Sequence, residues 1–198
     1  MKIIVATGNN GKIREIKSIF NNDTDEILSM KEAGITTDVE ETGTTFEENA
    51  LLKARAIAVK CDSIVLSDDS GLEVDYLDKQ PGIYSARYMG EDTSYDVKNA
   101  AIIDLLKDAE FEQRTARFVC AVAAVCPDGR EFVTRATMEG YIGYEPKGEN
   151  GFGYDPILYL KEYDCMSAEL SLEAKNEISH RGKAFRAMKA LLEKEGIQ

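Results

Sequence analysis

A short β-branched run, Lys2-Ile3-Ile4-Val5-Ala6, stops at Thr7-Gly8-Asn9-Asn10-Gly11-Lys12 and gives way to apolar residues at helical spacing, Ile13, Ile16, Ile19 and Phe20. That order predicts a buried strand, a glycine-rich turn and a helix, an opening that commits the chain to a sheet covered by helices. Such a turn presents backbone N–H groups and the positive end of a helix dipole, which together suit an anion, with phosphate the first candidate. The same residues also serve an ordinary strand-to-helix turn, because Gly and Asn tolerate positive φ and Asn caps helices.

Further along, Thr44 and Glu47 have the spacing of a capping box, and Phe46, Ala50, Ala54, Ile57 and Ala58 mark the buried face of a long helix. The segment SIVLSDDSGLEVDYL reads as strand, acidic turn, strand, and PGIYSARYMG as a loop held by Pro81 and Gly82. A helix with Ser94 as its cap follows, then two antiparallel strands joined at Pro127-Asp128-Gly129. GENGFGYDPILYL reads as a glycine-rich loop entering an apolar strand, and EISHRGKAFRAMKALLEKEG as a turn before a final amphipathic helix. Units of βα type mixed with antiparallel pairs predict a mixed α/β fold around a long twisted central sheet flanked by helices. With 198 residues and no linker or repeat, the chain reads as one domain over 1–198.

The surplus of 36 acidic over 24 basic side chains gives a net charge of −12, which repels nucleic acid and anionic membranes. A polyanion is then expected only where Lys, Arg, backbone N–H groups and a divalent cation are concentrated. Cys61, Cys120, Cys126 and Cys165 form no C-x-x-C pair, and FVCAVAAVC places two of them in an apolar strand, so they read as reduced core residues. No charged segment followed by a long apolar one opens the chain, and no run is long enough to span a bilayer. The expectation is a cytoplasmic protein with no nucleic acid and no membrane as partner.

Adjacent Asp68 and Asp69 at the end of an apolar strand, followed by Ser70-Gly71, stand where α/β proteins place ligands, and Mg²⁺ accepts such carboxylates. A plain Asx-type turn explains the tetrapeptide equally well. Glu40-Glu41, in a loop with Gly43, either completes a metal site or favours the nearby helix N-terminus. In GFGYDP, Phe152 and Tyr154 offer an aromatic face for a purine or pack inward around a tight turn. His180, the only histidine, adjoins Arg181, a fork of donors suited to oxygen acceptors.

Taken together, TGNNGK, EETGTTFEENALLKA, SDDSGLEV, PGIYSARY, GENGFGYDPI, AEL and KNEISHRGKA occur in the order found in the inosine triphosphate pyrophosphatase family, which the chain resembles from Thr7 to about Ala184. The resemblance implies an elongated two-lobed α/β body with a central cleft, assembled as a homodimer. It implies hydrolysis of nonstandard purine nucleoside triphosphates such as ITP, dITP and XTP to the monophosphate and pyrophosphate, with Mg²⁺. Thr7, Gly8, Asn9, Asn10, Gly11 and Lys12 would cradle the triphosphate, with Ser70 and Lys175 as further substrate contacts and Lys53 beside the phosphates. Asp69 would be the proton acceptor and a metal ligand, with Glu40 the second metal carboxylate and Glu41 and Asp68 its rivals. Phe152, Gly153, Tyr154, Asp155, His180 and Arg181 would form the purine pocket. The chain departs from the family pattern at YLDKQPG and at Glu149-Asn150.

Two other classes compete. A P-loop enzyme is suggested by Gly11-Lys12, but the G-x-x-x-x-G-K-[ST] spacing is absent and Ile13 stands where the metal-binding hydroxyl belongs. A nonenzymatic nucleotide sensor is the other, and carboxylates at both Glu40 and Asp69 argue against it, since a pure binder has little need of a base.

Overall fold

Ile3, Ile4 and Val5 are almost wholly buried, as expected of a strand lying between two parallel neighbours. The computed structural model describes residues 2–20 and 26–197, and the side chain of Asn10 lies outside the described part. In chain order the regular elements are β1 (Lys2–Val5), α1 (Asn10–Ile19), β2 (Glu26–Ser29), α2 (Phe46–Ala58), β3 (Ile64–Val74), α3 (Tyr95–Leu105), β4 (Thr115–Val125), β5 (Glu131–Ile142), β6 (Leu158–Leu160), β7 (Cys165–Met166), α4 (Leu172–Ile178) and α5 (His180–Lys194). Among the described residues the strands form one sheet in the order β2-β1-β3-β4-β5-β6-β7. Its β2-β1-β3 part is parallel and its β5-β6-β7 part antiparallel, which bears out the mixed α/β expectation.

The chain divides into two compact units, one comprising Met1–Asp69, Cys120–Ala136 and His180–Gln198, the other Ser70–Val119 and Thr137–Ser179. In the first, Ile3, Val5, Ile64, Leu66, Cys120 and Val122 pack against Ile16 and Phe20 of the α1 region and Phe185 and Met188 of α5. Phe20 and Phe185 meet edge to face, with centroids 6.0 Å apart. All four cysteines are free thiols, Cys120 and Cys126 buried, as expected.

The second unit closes around Leu72, Ile102, Leu106, Phe118, Ile142, Tyr154 and Ile157. A charged side chain organises one side of it. Arg114 is fully buried and donates to the carbonyl oxygens of Ile142 (2.7 Å), Leu106 (2.6 Å) and Gly143 (2.7 Å), while its guanidinium lies 4.3 Å from the Tyr144 ring centroid. Three acceptors of partial charge replace a carboxylate, and the fork geometry ties the end of α3 to the end of β5. Replacing Arg114 with Met takes the donor from all three carbonyls, of which Leu106 O keeps its bond from Ala109 N at 3.0 Å, though it removes a charge that had to be desolvated. We expect a net loss of about 2–3 kcal/mol, read as a lower urea midpoint. An unchanged midpoint would mean that the carbonyls find other donors.

Three local expectations are corrected. SDDSG is no turn: Ile64–Val74 is one continuous strand, because Asp68 and Asp69 each find cationic or amide partners on opposite faces of it and the backbone stays extended. The cap of α2 is Thr45, with Oγ1 accepting from Glu48 N at 3.1 Å, while the Glu48 carboxylate accepts from Thr44 N. Both threonines have a Glu three residues on, and burial of Phe46 as the first helical residue selects the second. The turn expected to open EISHRG is helical at its start, since Glu177 and Ile178 belong to α4, capped by Ser171.

Candidate active site

The turn after β1 ends in a helix cap. Asn9 Oδ1 accepts from the backbone N–H groups of Gly11 (2.8 Å) and Lys12 (3.2 Å), and Thr7 Oγ1 accepts from Asn9 N at 3.2 Å. A phosphate that uses the Gly11 and Lys12 amides must therefore displace the Asn9 oxygen, whereas the exposed Gly8 would have nothing within 4 Å of an added Cβ and leaves room beside the turn. Lys12 extends from this turn to Asp68, Nζ to Oδ2 2.8 Å.

Asp68 points to the face of β3 covered by α1 and α5. Its side chain is wholly buried, and Oδ2 also receives Arg181 Nε at 3.5 Å and the Cys120 thiol at 4.0 Å. Burial alone would drive its pKa up, but Lys12, Arg181 and Lys53 outweigh that and hold it ionised, well below the usual carboxylate range. Arg181, at the start of α5 beside the buried His180, is in turn paired with Glu15 of α1. Burial opposes the guanidinium charge, and Asp68 and Glu15 more than restore it. Glu15 was not visible as a site residue, since it reads as one more solvated carboxylate on α1.

Asp69 points the other way, toward α2. Its Oδ2 accepts from Asn49 Nδ2 at 3.1 Å, and its Oδ1 lies 3.7 Å from Lys53 Nζ. Lys53 also pairs with Glu41 at 2.5 Å. Burial raises the pKa of Asp69; Lys53 pulls it down, Glu41 pushes it up, and the net direction is upward. For Lys53, burial disfavours the charge, but Asp69, Asp68 and Glu41 raise its pKa overall. Asp69 and Glu41 thus have carboxylate oxygens converging on one cation. That arrangement of hard oxygen donors fits a divalent ion such as Mg²⁺, which needs only one or two protein carboxylates. Glu40 is exposed, one residue away on the same loop. Among the described residues no group of three or more His, Cys, Asp or Glu side chains forms a metal cluster.

In the second unit the glycine-rich loop is built on Asp155. This residue is buried, with Oδ1 accepting from Ser167 Oγ at 2.8 Å and Oδ2 accepting from Lys175 Nζ at 2.6 Å and Phe152 N at 2.9 Å. Gly151, at φ +78°, has to be glycine, because a Cβ there would stand 2.2 Å from Asp155 Oδ2. Asn150, one of the departures from the family pattern, donates from Nδ2 to Leu170 O at 3.1 Å and supports the same loop. The two aromatics divide: Tyr154 is buried, its hydroxyl donating to Ser85 O at 2.7 Å and its ring edge-on to Tyr95, while Phe152 is 37% exposed. Gly153 O accepts from Asn99 Nδ2 of α3 at 3.1 Å. Ser70, within β3, is half-buried.

The Ham1 family model matches residues 3–191. The chain belongs to the Ham1 family. Relatives of high similarity include the dITP/XTP pyrophosphatase of Exiguobacterium sibiricum, 47% identical over 192 residues and 97% of each chain. Another is the dITP/XTP pyrophosphatase of Bacillus subtilis strain 168, 46% identical over 190 residues and 96% of each chain. Among solved structures, the Ham1 protein of Staphylococcus aureus superposes with a TM-score of 0.88 at 43% identity, covering 98% of this chain and 100% of that one. The resemblance read from the motifs is thereby borne out for family membership and fold. No helix among the described residues is long and apolar enough to cross a membrane.

Proposed function

We propose that this Ham1 family chain hydrolyses nonstandard purine nucleoside triphosphates, ITP, dITP and XTP, to the nucleoside monophosphate and pyrophosphate. The observation that carries the reading is the convergence of Asp69 and Glu41 on one cation beside a lysine-bearing phosphate turn, and the names of the relatives support the substrate class. Asp69, its pKa raised by burial, is the group to orient or deprotonate a water that attacks the α-phosphorus. The bond to the β-phosphate oxygen breaks and pyrophosphate leaves. Mg²⁺, held by Asp69 with Glu40 or Glu41, would supply positive charge that offsets the phosphates. Lys12 and Lys53 bring further positive charge to the triphosphate, with Thr7 to Gly11 and Ser70 beside it and Lys175 as the contact the resemblance adds.

Base selectivity is assigned by the resemblance to Phe152, Gly153, Tyr154 and Asp155 and to His180 and Arg181. Hypoxanthine and xanthine present an oxygen acceptor at C6 where adenine presents an amino donor, so a donor such as Arg181 favours the former and leaves adenine badly paired. Cytoplasmic residence and a homodimer belong to the same reading, both on the strength of the resemblance, and the four free thiols suit a reducing compartment.

The test is product analysis with Mg²⁺ and a panel of ITP, XTP, ATP and GTP. We expect Mg²⁺-dependent release of IMP or XMP with pyrophosphate and little turnover of ATP or GTP. Release of nucleoside diphosphate and phosphate would overturn the mechanism. Tight binding of ITP without turnover would favour a nucleotide sensor.

A further inference from the structure

The loop bearing Glu40 and Glu41 comes from one segment and Asp69 from the middle of β3, yet one buried side chain bridges them. Asn49, on the buried stripe of α2, is fully inaccessible. Its Oδ1 accepts from Gly43 N at 2.8 Å, and its Nδ2 donates to Asp69 Oδ2 at 3.1 Å. The orientation of the amide is dictated by chemistry: the Gly43 N–H can only donate, so the oxygen must face it and the nitrogen must face the carboxylate. The fit is close at the other end too, because a Cβ on Gly43 would stand 2.6 Å from Asn49 Oδ1 and 2.8 Å from Glu48 Cβ.

We infer that Asn49 is a positioning residue that fixes Asp69 and the Glu40–Gly43 loop in one mutual geometry. By occupying Oδ2 it presents Oδ1 of Asp69 on the side where the Lys53 ammonium and Glu41 stand. Neither hydrogen bond is needed to form α2, which has its own cap at Thr45. Asn49 therefore acts through Asp69, touching neither substrate nor the attacked phosphorus. The inference rests on the proposed pyrophosphatase reading.

The experiment is a double-mutant cycle between Asn49→Ala and Asp69→Asn, with kcat and KM for ITP measured at saturating Mg²⁺. Asn49→Asp serves as an isosteric second variant that retains the acceptor for Gly43 N and loses the donor to Asp69. We expect each Asn49 variant to lower kcat by about tenfold or more with KM changed by less than about twofold, since small misplacements of a reacting group are costly. In the Asp69→Asn background the Asn49 substitution should cost less than about twofold, because residues acting through one another are not additive. Equal losses in both backgrounds would overturn the inference, as would an unchanged kcat for both Asn49 variants. Calorimetric titration of Mg²⁺ into the substrate-free protein adds a readout independent of turnover, and Asn49→Asp should alter the affinity. If the unsubstituted chain releases no pyrophosphate from ITP, the functional reading itself fails and this inference with it. If the unsubstituted chain turns over while the cycle is additive, Asn49 alone is misassigned.

Discussion

Replacing Asp69 with Asn is expected to lower kcat for ITP by about 10²–10⁴-fold, the range for loss of a general base, with KM changed only a few-fold. The variant tests the chemistry cleanly because an asparagine oxygen can still accept the Asn49 Nδ2 bond of 3.1 Å, so the packing between β3 and α2 persists. Stability should move in the opposite sense to activity. Burial raises the pKa of Asp69 in the folded protein, so its ionised form is held at an energetic disadvantage that the neutral amide lacks. A melting temperature equal to or slightly above that of the unsubstituted chain, together with a collapse of kcat, would mark Asp69 as a carboxylate kept for reaction rather than for folding. Near-normal kcat at saturating Mg²⁺ would remove Asp69 from its assigned role.

The opening strand, the cap at Ser94 and the face of α2 were legible because each depends on neighbours in sequence. The placement of Asp68 and Asp69 was not. Alternation along a strand separates their side chains, but only the covering elements, α1 and α5 on one face and α2 on the other, determine what each carboxylate meets. Reading SDDSG as a turn followed from its composition, and tertiary partners overrode that local preference. Buried polar residues escaped for a related reason. Glu15 and Arg114 belong to types that solvate a surface, and only long-range acceptors and donors make them interior. Asn49 did carry a signal: it lies three residues after Phe46 and five before Ala54, on the stripe that the alanines define, and an amide on such a stripe requires a partner. Tyr154 and Phe152 show the limit for aromatics, where one turn sends one ring inward and leaves its neighbour part-exposed.

Removing Asp155 should produce the largest loss of stability. Asp155→Ala takes away the acceptor of Ser167, the acceptor of Phe152 N and the counter-charge of Lys175, whose side chain is only 4% exposed. Breaking a buried pair in this way costs about 3–5 kcal/mol, since the remaining charge stays desolvated, and for a chain of this size that lowers the melting temperature by roughly 10 °C. If the cost is the stranded charge, then Lys175→Met in the Asp155→Ala background should recover part of it, because an apolar side chain does not need the missing carboxylate. Activity tests the substrate contact proposed for this pair. A double variant that regains stability but keeps a raised KM for ITP shows that the Asp155–Lys175 pair serves substrate binding as well as structure. Recovery of both would confine the pair to holding the Gly151–Tyr154 loop, while an Asp155→Ala protein as stable as the unsubstituted chain would show that the pair contributes little to either.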